Sequence, residues 1–235
     1  METKLETNPN LARVAAATFL FVCMPTSIWS QTYVLSKLFV AQDPAATAAN
    51  ILSNEFSFRM ALVLNLAGSL VFAWMTFTMY RIFEPVNRTL GLMMALPIAA
   101  QVAVAFLLES INFTALTVLK SEPRPGFGVA DQQEAAYLLL RLYRASLSCD
   151  KIVLALSILP WGALVWRSGI VPRIFGVLLI ISGIGYVLDT ITGLLLDRSI
   201  VVVIRPYLRG AFVGYIATML WLLIRGVGKW RPVPA

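Results

Sequence analysis

The sequence predicts an all-α fold: a polytopic transmembrane helical bundle of about six spans, with one short surface helix near 44–54. Three observations predict it. The chain of 235 residues is 59% hydrophobic and 13% charged, whereas soluble domains are about 45–50% apolar and about 25% charged. Six apolar runs, at about 14–36, 58–80, 89–113, 134–166, 174–196 and 206–225, are each long enough to cross a hydrocarbon core of about 30 Å. In lipid such runs have to be helical, because only a helix satisfies its own backbone polar groups. No stretch is long and polar enough for a separate soluble domain, so residues 1–235 read as one integral-membrane domain.

The elements follow in order. Glu2, Lys4, Glu6 and Arg13 precede the first apolar run and no small-residue cleavage site follows it, so a retained span is expected rather than a signal peptide. Asp43-Pro44 has the form of a helix start, with Asp43 as cap and Pro44 at the first helical position. The alanine-rich AATAANILSN after it is only moderately apolar, which predicts a helix at the membrane surface. EPRPGFG, at 122–128, is the clear proline/glycine loop. Asp131 and Glu134 beyond it have the spacing of a cap and an N3 acid for the fourth span. Arg205-Pro206 predicts that the sixth span starts at Pro206. No internal repeat is visible.

The formal charge of +7 is not gathered on a basic face; lysines and arginines punctuate the apolar runs, so nucleic-acid binding is not expected. They read instead as topology signals. With the N-terminus in the cytoplasm, Lys4, Arg13, Arg81, Arg88, Arg167, Arg173, Arg225, Lys229 and Arg231 fall on the inner side, against Lys37, Lys120, Arg124 and Arg198 outside. A bacterial inner-membrane protein with both termini cytoplasmic is the expectation. Arg59, Arg141, Arg144, Lys151, Arg205 and Arg209 fit neither set.

Depth sorts them. At a rise of about 1.5 Å per residue, Lys151 lies roughly 24 Å along its helix from Arg167, as do Asn65 from Arg81, Asp189 from Arg173 and Arg209 from Arg225. Asp150, Gln31, Arg59, Glu109 and Arg205 fall at or beyond that level, and Arg141 and Arg144 lie past roughly 33 Å, outside the core. Polar groups of all six spans thus collect in the outer part. Asp189 shares a helical stripe with Ser182, Tyr186 and Thr192, while Arg141, Arg144, Ser148 and Lys151 form another. Charges at such depth are costly and usually face protein or a watery cavity. An outer-half polar cavity built by Asn65, Asp150, Lys151, Asp189 and Arg209 is therefore expected. Two readings of it stand: a structural ion-pair network, or a ligand or proton site. For the arginines nearest the helix ends, snorkelling to lipid headgroups is the plain alternative.

Chemistry is bounded mainly by what is missing. The chain has no histidine, which removes a histidine-ligated haem, an HExxH zinc site and a Ser-His-Asp triad. Cys23 and Cys149 fall at different depths, so neither a bridge nor a cysteine metal site is expected; no metal and no cofactor are implied. GFG (126–128) and GIG (183–185) lack the rest of a nucleotide loop. Asn112-Phe113-Thr114 matches the glycosylation pattern, a match that arises often by chance. Gly210 and Gly214 are a small-xxx-small pair suited to close packing, within the chain or in a homo-oligomer.

AATAANILSNEFSFRM (45–60), EPVNRTLGLMMAL (84–96) and WRSGIVPRIFGVLLIISGIGYVLD (166–189) resemble segments of a bacterial integral-membrane family known as domain of unknown function 4386, a likeness running from about 12 to 226. The resemblance implies a six-helix bundle of unassigned activity and transfers no catalytic residues. Members often carry a less charged fourth helix with a histidine, where this chain has Arg141, Arg144, Asp150 and Lys151.

Three functions are consistent with these residues. The first is binding or carrying a small amphiphilic, anionic molecule among membrane lipids, because cations exceed acids in the outer layer. The second is a metal-free membrane enzyme acting on a lipid or isoprenoid, with Asp150 or Asp189 as acid/base. The third is a structural or assembly protein.

Overall fold

A computed structural model describes residues 9–196 and 212–227, and these are helical almost throughout. Seven helices are present among them: α1 (Asn10–Leu38), α2 (Pro44–Ser53), α3 (Glu55–Phe83), α4 (Arg88–Lys120), α5 (Val129–Ser168), α6 (Arg173–Leu195) and α7 (Phe212–Arg225). Five of them, α1, α3, α4, α5 and α6, are long and apolar enough to cross a membrane. The chain is a polytopic helical bundle, as its six apolar runs predict. The start expected at Pro206 lies outside the described residues.

Helix ends follow local chemistry. Gln42 adopts a left-handed backbone (φ 64°) and its N–H donates to the Tyr137 hydroxyl at 2.7 Å. The chain then turns into Asp43, whose carboxylate accepts from the Ala46 N–H at 2.8 Å, with Pro44 in the first turn. This is the predicted cap. The fourth span differs: α5 begins at Val129, before the expected cap. Gly128 takes the cap position, and the Asp131 carboxylate reaches back to the Gly128 N–H at 2.7 Å, the bond made by the N3 acid of a capping box. Asp131 is thus one turn deeper than its spacing to Glu134 implied. α1 is not a uniform α-helix. Two π-helical stretches, Phe19–Cys23 and Ile28–Leu35, flank the turn that holds Pro25. Proline lacks an N–H and its ring crowds the carbonyl one turn earlier, so a widened turn accommodates it.

The chain divides into two compact units, Cys23–Leu70 with Val102–Ser148, and the remainder. In the first, Ile51, Phe58, Leu62, Ala115, Leu116, Ala136 and Leu140 form a buried core. Glu55 there bonds Arg59 at 2.7 Å and Lys120 at 2.9 Å, tying the start of α3 to the end of α4. In the second, Met75, Met79, Met94, Ile158, Leu164, Leu179 and Met219 are fully enclosed. Tyr215 of α7 packs against Phe19 at 4.8 Å and edge-on against Trp161 at 5.3 Å.

Glycines set the closest helix approaches of this second unit. A Cβ at Gly176 would stand 2.8 Å from the Gly162 carbonyl oxygen, and one at Gly162 would stand 2.9 Å from that of Gly176. Small residues at such crossings let backbones meet where lipid supplies no hydrophobic drive between helices. The opposite face of α6, with Ile174, Ile181, Ile184, Leu188 and Ile191, is exposed and apolar, as a lipid-facing stripe should be.

Candidate functional site

The best-connected polar cluster lies in the Cys23–Leu70/Val102–Ser148 unit and is centred on Glu109. The π-helical stretch of α1 carries Ser30 and Gln31, α3 carries Asn65, and α5 carries Tyr143. Glu109 and Asn112 are one turn apart on α4, so both reach the same side. Glu109 is 6% exposed. Its Oε1 accepts from Asn65 Nδ2 at 2.8 Å and from the Tyr143 hydroxyl at 3.2 Å; its Oε2 accepts from Asn112 Nδ2 at 3.0 Å. Behind these, Ser30 Oγ donates to Asn65 Oδ1 at 2.6 Å and Gln31 Nε2 to the Tyr143 hydroxyl at 2.9 Å. All three direct partners are neutral. No lysine or arginine among the described residues forms an ion pair with Glu109. A buried carboxylate is tolerated only when donors replace its water, and charge-assisted bonds of this kind are the strong ones.

Tyr143 and Asn112 also form part of the wall of a cavity of about 200 Å³. Leu35, Leu38, Phe39, Ile51, Phe58 and Leu140 make its apolar lining, and Gln31, Ser36 and Arg144 complete the polar side. The Arg144 guanidinium lies over the Phe39 ring at 4.5 Å, and Phe39 stacks on Tyr137 at 5.0 Å. Among the described residues no carboxylate pairs with Arg144. Asn112 is fully buried and its Oδ1 has no donor. The amide cannot be turned to relieve this, because its nitrogen is the atom that must face the Glu109 carboxylate.

A second polar group sits in the other unit. Lys151 Nζ bonds Asp189, and Gln101 Nε2 donates to Asp150 Oδ2 at 2.6 Å. Asp150 Oδ1 and Gln101 Oε1 are buried without donors. The Lys151–Asp189 pair is asymmetric, the lysine side chain being 31% exposed and the aspartate 6%. Lys151→Met takes the ammonium away from the buried aspartate. Its expected cost exceeds the about 0.2–1 kcal/mol of an exposed pair and stays below the about 3–5 kcal/mol of a fully buried one. Thermal unfolding in detergent measures it, and adding Asp189→Asn should restore part of the loss. An unchanged unfolding temperature for Lys151→Met alone would show that the pair contributes nothing.

A family model described as Domain of unknown function (DUF4386) matches residues 14–226. The chain belongs to that family. No curated protein and no solved structure matches it. This DUF4386 chain is a polytopic helical bundle.

Of the residues the sequence put into one cavity, the structure of this DUF4386 chain joins Lys151 to Asp189, gives Asp150 to Gln101, and places Asn65 on Glu109. Arg209 and Gly210 lie outside the described residues. Gly214 packs within the chain, against Leu178 of α6. Among the described residues no group of three histidines, cysteines or acids could hold a metal. Sequence reasoning left Gln31 as a depth marker, counted Glu109 among the acids of the outer layer that could serve as acid or base, took Asn112 only as part of a chance triplet, and did not single out Tyr143. The readable signal was the Glu109/Asn112 pair, two polar residues at i and i+3 inside an apolar run. Arg144, assigned to the outer interface by its depth, lines the cavity.

Proposed function

We propose that this protein binds or carries a small amphiphile, with an anionic group at Arg144 and an apolar body in the adjoining cavity. The observation that carries this reading is the pairing of an arginine that meets no acid among the described residues with a mostly apolar void of about 200 Å³. Guanidinium is the side chain best matched to carboxylate or phosphate. A void of about 150 Å³ holds benzene, which sets the scale: a ring-sized or short branched molecule fits, and a diacyl lipid fits only by one end. The lysine and arginine count supports a cytoplasmic location for both termini. Acid/base catalysis by Asp189 is less well supported, since its carboxylate is already engaged by Lys151.

Native mass spectrometry of protein extracted with its surrounding lipid, followed by titration with short branched carboxylates, tests the proposal. A bound acid is expected on the wild-type chain, weakened at least about tenfold in Arg144→Ala, equivalent to about 1.4 kcal/mol. Equal affinity in the two proteins would remove Arg144 from the site.

A further inference from the structure

We infer that the ligand of this cavity is a zwitterion: a compact apolar molecule carrying an ammonium group as well as the anionic one. The inference rests on the amphiphile reading and adds the second charge. Two independent observations lead to it. Asn112 belongs to the cavity wall, and its Oδ1 is a buried acceptor with no donor of its own. An unsatisfied buried acceptor is costly, and it calls for a donor from whatever fills the void. Glu109, directly behind Asn112 and Tyr143, is a carboxylate held by three neutral donors and balanced by no cation among the described residues.

A hydroxyl on the ligand would answer the first observation and leave the second. A cation without N–H groups would answer the second and bond the amide oxygen poorly. An ammonium does both: it donates to Asn112 Oδ1 and sets a positive charge against Glu109. The wall is then complementary to both charges of the ligand, with Arg144 facing its anion and Glu109 its cation. A simple anion of the same shape gains from Arg144 and is repelled by Glu109, so the cavity discriminates by charge pattern more than by size.

The test uses the whole chain in lipid nanodiscs and three probes that share one isopentyl chain, compared by titration calorimetry. L-leucine has both charges, isocaproate lacks the ammonium, and isoamylamine lacks the carboxylate. Leucine is expected to bind at least about tenfold more tightly than either. In Glu109→Gln, which keeps the shape of the side chain, leucine should lose its advantage over isocaproate. If isocaproate binds as tightly as leucine and Arg144→Ala weakens both, the ligand is a simple anion and the zwitterion is overturned while the amphiphile reading stands. If isoamylamine matches leucine, the carboxylate contributes nothing and the amphiphile reading fails with it. A leucine advantage that survives Glu109→Gln refutes the seat assigned to the ammonium. Absence of binding by all three removes both proposals.

Discussion

Gly214→Ala is expected to destabilise the protein by about 3 kcal/mol or more, the upper end of what overpacking a core costs. The added methyl would stand 2.5 Å from the Leu178 carbonyl oxygen and 2.8 Å from Ser182 Oγ. Neither can retreat on its own, because Ser182 Oγ already donates to that same carbonyl at 2.8 Å. α7 must move as a body, and it carries Thr218, Met219 and Leu222, all fully buried, and the Tyr215 ring packed on Phe19 and Trp161. Gly183→Ala is the control. Its methyl meets the Leu159 side chain at 2.7 Å, with backbone only at 3.5 Å, and a leucine can change rotamer. The expected cost is about 1 kcal/mol, the low end of the same range. Unfolding monitored by circular dichroism in detergent separates the two. Equal midpoints would mean that backbone proximity at Gly214 does not limit stability. The Gly210/Gly214 pair also bears on assembly: a Gly214 variant that changes the oligomeric state and leaves the unfolding midpoint alone would locate the pair between protomers.

The spans were legible because their signal is collective. Twenty apolar residues outvote any one polar residue, and lipid leaves the backbone one regular solution. Single residues decided the places where reading failed. Asp131 was assigned the cap because aspartate favours that position, but Gly128 can open the helix earlier and leave Asp131 to close the box from inside. The candidate site was legible by depth and illegible by direction. Asn65, Gln31 and Glu109 all fall in the outer layer; the structure bonds Asn65 to Glu109 and links Gln31 to it through Tyr143. Lys151 bonds Asp189, while its chain neighbour Asp150 is bonded by Gln101. Depth says nothing about rotation, however. It could not show that Arg144 would lie along Phe39 and line a cavity. Nor could the π-helical turns of α1 be foreseen beyond the presence of Pro25, although they set which of Ser30 and Gln31 faces which partner.

Glu109→Leu and Glu109→Gln should part company sharply, and the reason lies in what each leaves behind. Leucine removes a buried charge, which by itself is neutral or favourable in a low-dielectric interior. It also strips the acceptor from Asn65 Nδ2, Asn112 Nδ2 and the Tyr143 hydroxyl at once. Each buried donor left unpaired costs about 1–3 kcal/mol, so the donors outweigh the charge and a loss of about 3 kcal/mol or more is expected. Glutamine keeps one oxygen, with lone pairs enough for Asn65 and Tyr143. Its amide nitrogen then faces Asn112, whose own amide turns over and offers Oδ1, the atom that has no donor in the wild-type chain. Stability is expected within about 1 kcal/mol of wild type, the worth of a single net hydrogen bond. The turned amide places N–H groups on the cavity wall where an acceptor stood, so this variant is stable and yet repels an ammonium. If the leucine variant unfolds at the same temperature as the glutamine variant, the three donors have other partners, and Glu109 is not the centre that holds them.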